Sequence, residues 1–391
     1  EYLMGFTDTA YLGRVGETEL AASALAGTYY MIIYMIGFGF SIGAQILIAR
    51  YNGSRQYSRT GEVFTQGTIF LLLVATLLFT LSYLYSPVVL SFLIDSEQVY
   101  LATISYLNWR IYGFFFSFII VMFKAFFIGT VKTKILTINS IVMVLTNIIL
   151  NYILIFGKLG FPAMGVVGAA IATVISRFVE CGYLVIYTHI HSNDYPFIKH
   201  CYRTLKVPGS LVKKIIVTGA PLMLNEFLWA GGLTLQTQAL STKGLATVGG
   251  LNICNTIGNI SNCIFVTMGT TIAIVVGQLL GAGKLKEAKV TATRMAAFSL
   301  LISFGMIIIL GLLGPVFPHF YNTTDEIRKL ATKFIWAVAA ATPFISLSNS
   351  EYFILRSGGK TIITFLFDSC FVCLVNVPVA ICLTKFTAIH I

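Results

Sequence analysis

Three of the carboxylic acids that lie within apolar segments of this sequence are candidates for chemistry, because a charge in such a segment needs a reason. They are Asp8, Glu226 and Asp368. On insertion scales, an acid near the centre of a membrane helix costs about 2.5–3.5 kcal/mol. Asp8 precedes Arg14 by six residues, or about 9 Å along a helix, which places it within the outer leaflet if its segment spans a membrane. A carboxylate there suits cation binding or proton transfer; the alternative is that it pins a neighbouring helix.

Two amides extend this chemistry. Asn147 and Asn151 are four residues apart and therefore share one face of a helix. Their two amide oxygens and the Asp8 carboxylate would form an oxygen cage for a hard cation such as Na⁺, to which Thr173 could add a hydroxyl. The alternative is interhelical hydrogen bonding, worth about 0.6 kcal/mol per bond on average. We predict an ion-coupling site that comprises Asp8, Asn147, Asn151 and Thr173.

A second group of residues suits a cationic organic ligand. Pro221 can bend the helix that carries Glu226, and the Trp229 ring could face a cation. The apolar run at 247–280 carries a stripe of asparagines, which faces either a wet cavity or a neighbouring helix. The alternatives for the acids are buried structural pairs. The predicted substrate or proton cavity comprises Glu226, Trp229, Asn255, Asn259, Asp368 and Tyr34.

The amino-acid composition indicates that these apolar segments lie in lipid rather than in water. Only 10% of the 391 residues are charged, against about 25% in soluble domains. Hydrophobic residues make up 57%, and the mean hydropathy is +0.85. A soluble protein of this size could not bury so much apolar surface. The net charge of +11 does not indicate a nucleic-acid partner, because the basic residues fall in short gaps between apolar runs.

The apolar runs predict an all-α, polytopic membrane protein. A spanning helix needs about 20 apolar residues, and a shorter run at 2–12 predicts a partial first span. Full spans are predicted at 20–49, 63–85, 111–130, 135–157, 165–188, 211–240, 247–280, 295–317, 330–355 and 361–384. One set of alternating gaps holds sixteen basic residues and the other seven, which places the richer set in the cytoplasm. We expect a prokaryotic inner (cell) membrane protein.

The two halves of the chain repeat. Gly39 and Gly53 match Gly269 and Gly283 at an offset of 230, 127–133 matches 355–361 at 228, and Asn147 matches Asn376 at 229. Parallel repeats about an axis along the membrane normal are a common plan of secondary transporters. We predict two six-helix lobes related by pseudo-two-fold symmetry: an N-lobe at 1–195, a cytoplasmic linker at 196–210, and a C-lobe at 211–391 that lacks a twelfth span.

Several motifs together resemble the multidrug and toxic compound extrusion (MATE) family, along the whole chain and in both halves. They are Phe6–Thr9, Leu12–Gly13, Leu20–Ala22, Asn147–Gly157, Gly165–Thr173, Lys132–Thr133 and Lys360–Thr361. The resemblance implies a twelve-helix antiporter that exports organic cations in exchange for Na⁺ or H⁺. It places the family's coupling carboxylate at Asp8 and a cavity acid at Glu226. The chain departs from relatives at Asn151, often Asp in them, and in 340–347, where some relatives carry an acid.

Two other functions remain as alternatives. A lipid-linked oligosaccharide flippase of the same superfamily would need several basic residues in its cavity. Only Lys124, Arg110 and Arg177 lie within spans, and we expect Lys124 and Arg110 to snorkel to the interface. A non-transporting membrane scaffold would leave the three buried acids without a purpose.

An enzyme is not expected. The G-x-S-x-G pattern at 39–43 lies within an apolar helix rather than at a strand-to-helix turn. Gly359-Lys360-Thr361 lacks the earlier glycine of a phosphate-binding loop. We therefore expect no cofactor apart from Na⁺ or H⁺ as the coupling ion. The expected partners are cationic amphiphilic drugs and the lipid bilayer, not nucleic acid, and we expect a monomer.

Overall fold

Helices account for the secondary structure of the described part of the chain. A computed structural model describes residues 2–92, 94, 96–193, 195, 209–241, 245–321 and 323–386. The α-helices are α1 (Tyr2–Leu12), α2 (Glu17–Gly53), α3 (Tyr57–Ser91), α4 (Glu97–Arg110), α5 (Gly113–Gly129), α6 (Lys134–Phe156), α7 (Gly165–Ile190), α8 (Gly209–Ser241), α9 (Leu245–Gly281), α10 (Leu285–Leu313), α11 (Asp325–Ser357), α12 (Thr361–Phe365) and α13 (Val377–Phe386). A 3₁₀ helix covers Phe317–Phe320, and two π-helical segments cover Leu366–Cys370 and Val372–Asn376.

The predicted spans correspond to these helices. Among the described residues, eight helical stretches are long and apolar enough to cross a membrane, or nine if α4 and α5 form one span. The predicted span at 111–130 corresponds to α5, which passes this test only together with α4, from which it is bent by 53°. Polar residues at both ends of α4 hide it in the sequence. Helix α8 is long but less apolar, because Pro221, Asn225 and Glu226 interrupt it.

The chain divides into two compact units. Unit 1 is Glu1–Ile48 with Gln56–Met223, and unit 2 is Ala49–Arg55 with Leu224–Ile391. In unit 1, α6 packs on α7, α4 and α5 contact α7, and α1 contacts α6. In unit 2, α9, α10 and α11 pack on one another. The predicted linker at 196–210 lies almost entirely outside the described residues, so the lobe boundaries of 1–195 and 211–391 stay a prediction.

The internal repeat is visible in local backbone geometry. Val131 (φ 62°) and Gly359 (φ 72°) occupy the same position of equivalent turns. In each turn the next residue donates its N–H to a carbonyl five residues back, Lys132 to Phe127 and Lys360 to Leu355. The offset between these turns is 228 residues, the value that the sequence match of 127–133 with 355–361 predicted.

A second pair of turns corrects the sequence alignment. The turn after α2 has Arg55 at φ 57°, and the turn after α9 has Gly283 at φ 75°. These two residues differ by 228, so Gly283 is equivalent to Arg55 and the sequence pairing of Gly53 with Gly283 was wrong. Gly53 corresponds instead to Gly281. A side chain at Gly53 would collide with the carbonyl of Gln278, and one at Gly281 with the carbonyl of Arg50.

The predicted span at 361–384 is a helix with an irregular middle. Two π-helical segments occupy most of 366–376. A π turn closes over five residues instead of four, and can thus take up an additional residue. The repeat offset is 228 before these segments and 229 between Asn147 and Asn376, which is the last residue of the second segment. One inserted residue in the π-helical region accounts for this increase.

Candidate functional site

The four residues predicted to couple ions lie together in unit 1. The Asn151 amide donates from Nδ2 to Asp8 Oδ1, and also lies 3.0 Å from Asn147 Oδ1. The Asn147 amide lies 3.4 Å from Thr173 Oγ1, which it contacts as a donor. Three helices, α1, α6 and α7, therefore meet in one hydrogen-bonded array. We call these four residues the Asp8 cluster.

Helix periodicity explains how this array is assembled. Residues 139, 143, 147 and 151 recur every four positions and form the buried face of α6. Asn147 and Asn151 are fully buried, Thr173 is 1% exposed, and Asp8 is half-buried. In the described structure the buried Asn151 Oδ1 has no hydrogen-bond partner. The array thus presents a carboxylate and an unpaired amide oxygen, which are ligands that a hard cation prefers.

A charged cluster adjoins the Asp8 cluster. Glu180 accepts from Arg177 Nη1 at 2.7 Å and from Asn139 Nδ2 at 3.3 Å, and it forms an ion pair with Lys124 at 3.3 Å. The spacing of three residues between Arg177 and Glu180 places this pair within one turn of α7. Lys124 does not snorkel, because its ammonium group is held by the fully buried Glu180 carboxylate. We call Lys124, Asn139, Arg177 and Glu180 the charged cluster.

Sequence reasoning missed the role of Arg110. It was expected to snorkel, but it is 7% exposed, and its guanidinium lies 3.8 Å above the Tyr30 ring. The cause is the bend after α4, which keeps Arg110 inside unit 1. Arg110 and Arg177 are the cations whose charges act on Asp8. The signal available in the sequence was that Arg110 directly precedes the apolar run at 111–130. An arginine next to such a run can belong to the same span.

Aromatic and small residues hold Arg110 in place. The far side of Tyr30 stacks on Phe114 with centroids 4.6 Å apart, and its hydroxyl lies 2.8 Å from Ser117 Oγ. A Cβ atom at Gly113 would lie 3.0 Å from Arg110 Nη1, so glycine leaves room for the guanidinium. Within the described residues, Nη1 itself has no hydrogen-bond partner. The chain thus keeps a permanent positive charge within unit 1 at the bend.

Unit 2 contains a second carboxylate–amide contact. Asn225 Nδ2 lies 2.8 Å from Asp368 Oδ2 and 3.3 Å from the Tyr352 hydroxyl. Ser369 donates to both the carbonyl and Oδ1 of Asn225, at 2.6 and 2.7 Å. The contact joins α8 and α11 to the first π-helical segment. We call Asn225, Tyr352, Asp368 and Ser369 the Asp368 cluster.

The structure brings together only part of the predicted cavity. Glu226 is half-buried beside Asn225, and the charges of Arg356 and Asp368 act on it. Trp229 is half-buried one turn further along α8. Asn255 and Asn259 are exposed on α9, and no hydrogen bond joins them to the Asp368 cluster in the part of the chain described. Tyr34 belongs to unit 1, where its ring stacks on Phe38.

An all-helical chain with many apolar spans and buried carboxylate–amide arrays defines a multi-pass membrane transport protein. The chain belongs to the MatE family, since the family model named MatE matches residues 1–153 and 221–382. The MATE family that the sequence motifs resemble is therefore confirmed. Bacterial relatives of the chain carry the names of multidrug resistance proteins.

Bacterial relatives match most of the chain. A protein of Mannheimia succiniciproducens named Probable multidrug resistance protein NorM is 30% identical over 290 residues, which are 73% of this chain and 61% of that protein. For the NorM of Pasteurella multocida the identity is 28%, covering 77% of this chain and 64% of that protein. For the NorM of Thermotoga maritima it is 23%, covering 99% and 82%. The chain thus spans less than two thirds of the first two relatives.

Solved structures share the fold. A MATE structure in the straight conformation gives a TM-score of 0.87 at 19% identity, over 99% of this chain and 85% of that chain. The Vibrio cholerae MATE transporter VcmN in the bent form also gives 0.87, at 17% identity, over 96% and 84%. At these identities the likeness establishes the fold alone. It confirms the all-α polytopic architecture.

Proposed function

We propose that the chain is a secondary antiporter that exports amphiphilic organic cations in exchange for Na⁺ or H⁺ by alternating access. The observation that carries this proposal is the Asp8 cluster. Its half-buried carboxylate accepts a hydrogen bond from Asn151, which is linked in turn to Asn147 and, through it, to Thr173 on a neighbouring helix. The family and the names of its bacterial relatives support the drug-export part.

The coupling step follows from the contacts of α1. Asp8 ties α1 to α6 through Asn151, and the Tyr11 ring packs edge-on against Phe156 of α6 at 5.7 Å. A cation or proton on the carboxylate competes with the Asn151 amide for the same oxygen lone pairs. Loading the ion therefore changes the contact that holds α1 to α6. A bound ion can drive export only if it favours one of two conformations and the drug favours the other.

The drug-binding step is assigned to unit 2. Glu226 and Asp368 lie near each other, and among the described residues Arg356 is the one cation whose charge acts on Glu226. This acidic balance favours a positively charged ligand, and Trp229 offers an aromatic surface near it. Neutralising Asp8 removes one of the two negative charges that offset Arg110, Arg177 and Lys124 in unit 1. Ion binding thus increases the excess of positive charge in unit 1, whereas drug binding reduces the excess of negative charge in unit 2.

The test is ethidium efflux from a drug-hypersensitive bacterial host. We expect faster efflux with the protein than with the empty vector, and loss of that difference when one ion gradient is removed. A sodium ionophore and a protonophore, applied separately, identify the ion. Efflux that survives the collapse of both gradients would refute ion-coupled export. Efflux equal to the empty vector for a panel of organic cations would refute drug export.

A further inference from the structure

A groove in unit 2 lies outside both carboxylate clusters. Helices α9, α10 and α11 enclose a cavity of about 630 Å³ that is open to the surface. Drug-sized ligands occupy pockets of about 300–1,000 Å³. The lining is almost entirely apolar and includes Val276, Leu280, Ala292, Ala296, Leu347 and Glu351. Its size and lining therefore suit an amphiphile of drug size.

Small side chains create this volume. Helix α10 presents Ala288, Ala292, Ala296 and Ala297 to the groove, one or two per turn. Ala288 and Ala292 are buried and pack with Val276 and Ile272 of α9, so the floor is closed. Larger residues at these positions would fill the space between α9 and α11.

One acid stands in this apolar lining. Glu351 is exposed and lies six residues before the end of α11, or about 9 Å along the helix. That end of α11 carries Arg356 and Lys360 and is cytoplasmic by the distribution of basic residues. In the described structure Glu351 makes no ion pair or side-chain hydrogen bond. A carboxylate at this depth attracts a cation whose remaining surface is apolar.

The second charged residue that lines the groove, Lys289, does not neutralise Glu351. Lys289 also lines the groove, four residues from the start of α10. Side chains lean toward the N-terminus of their helix. Lys289 therefore leans toward the cytoplasm and its ammonium can reach the headgroup region, while Glu351 leans toward the bilayer interior. By this argument the Glu351 carboxylate lies deeper in the bilayer than the Lys289 ammonium, so it is available to a cationic group.

We propose that this groove is a docking site where amphiphilic organic cations enter from the cytoplasmic leaflet, with the cationic group at Glu351 and the apolar body along Val276, Leu280 and Leu347. The inference rests on the proposed function for its ligand class. It adds a membrane-facing site that is separate from the Asp8 and Asp368 clusters. A substrate that partitions into the inner leaflet would be collected here before it reaches the transport cavity.

The experiment measures equilibrium binding of rhodamine 6G to the full protein in phosphatidylcholine nanodiscs by fluorescence polarisation. We expect Glu351→Gln to raise Kd about tenfold, the loss expected when a charge-assisted contact is removed. Filling the groove with Ala292→Phe should have a similar effect. Glu287→Gln is the matched control, because Glu287 lies at the same end of α10, pairs with Lys284 at 3.0 Å and does not line the groove. Its Kd should stay within about twofold, since exposed pairs contribute little.

An unchanged Kd in Glu351→Gln would overturn the proposal, and so would an equal change in Glu287→Gln. Native mass spectrometry tests whether a phospholipid occupies the groove instead. If the wild-type protein retains a phospholipid that both groove variants lose, and rhodamine binding is unchanged, the groove is a lipid site. Glu351→Gln preserves side-chain shape and so keeps the test valid if Ala292→Phe fails to fold. A wild-type protein that binds through Glu351 but exports nothing would refute the proposed function alone. Normal export with unchanged binding would refute the groove alone.

Discussion

The Asp8 cluster of unit 1 and the Asp368 cluster of unit 2 share one contact, a carboxylate that accepts a hydrogen bond from an asparagine on another helix. Their surroundings differ. Two carboxylates in unit 1, Asp8 and Glu180, lie among three cations: Arg110, Arg177 and Lys124. In the described part of unit 2, Asp368 and Glu226 lie near each other, and Arg356 is the one cation whose charge acts on Glu226.

This difference assigns the two units different tasks in our proposal. A cation that neutralises Asp8 enters a region that already holds fixed positive charge, so the oxygens of Asn147 and Asn151 must contribute to its binding. An organic cation near Glu226 and Asp368 meets an excess of negative charge. The surrounding backbone differs as well, because α1 and α6 are regular helices while Asp368 lies in a π-helical segment. Such segments are rare and are frequent at functional sites.

The largest expected effect comes from neutralising the two carboxylates in turn. Asp8→Asn should reduce gradient-driven ethidium efflux to the level of the empty vector, because the variant has no charge for an ion to neutralise. Asp368→Asn should reduce efflux by about five- to tenfold, the low end of typical coupling energies. Both variants should be present in the membrane in wild-type amounts. Full efflux by Asp8→Asn, or equal losses in the two variants, would contradict the assignment of ion coupling to unit 1.

The next effect concerns stability in unit 1. Glu180→Gln removes the carboxylate that holds Lys124 and Arg177, and leaving buried charges unpaired costs about 3–5 kcal/mol. We expect a large drop in the thermal unfolding temperature in detergent. Glu287→Gln is the control, because the Lys284–Glu287 pair is exposed and should contribute little. Equal unfolding temperatures for the two variants would show that the charged cluster does not stabilise unit 1.

Most of the helical architecture, and the Asp8 cluster, could be predicted from sequence because they depend on local periodicity. Apolar runs locate the spans, and a spacing of four brings Asn147 and Asn151 to one face of α6. The motif resemblance supplied the link to Asp8, which lies far away along the chain. These signals survive without knowledge of how the helices pack.

Features that depend on packing escaped sequence reasoning. Nothing local shows that α4 and α5 bend between Arg110 and Gly113, so Arg110 was assigned to the interface instead of the interior. The bond from Asn225 to Asp368 joins residues 143 apart and depends on the π-helical segments. Hydropathy does not distinguish π-helical from α-helical turns. The exposed positions of Asn255 and Asn259 likewise depend on how α9 is rotated against its neighbours.

A smaller effect would distinguish a transport contact from a structural one. Asn225→Ala removes the amide that bonds Asp368, Tyr352 and Ser369, and should cost about 1–3 kcal/mol of stability. Asn151→Ala removes the equivalent partner of Asp8. We expect Asn225→Ala to lower the unfolding temperature more than it lowers efflux per folded molecule. Asn151→Ala should do the reverse, and the opposite ranking would assign ion coupling to unit 2.

The smallest effect tests the repeat itself, at two equivalent turns whose left-handed residues are Val131 and Gly359. Val131 and Gly359 adopt the same left-handed backbone, which costs an L-residue about 1–2 kcal/mol. Gly359→Ala should therefore destabilise the protein by about 1 kcal/mol, and its Cβ would also lie 3.1 Å from Arg50 Nη2. Val131→Gly should stabilise it by up to about 1 kcal/mol, because relief of strain exceeds the entropy that glycine loses on folding. The thermal unfolding temperatures of both variants test this prediction. If the two temperatures shift in the same direction, the two turns are not equivalent.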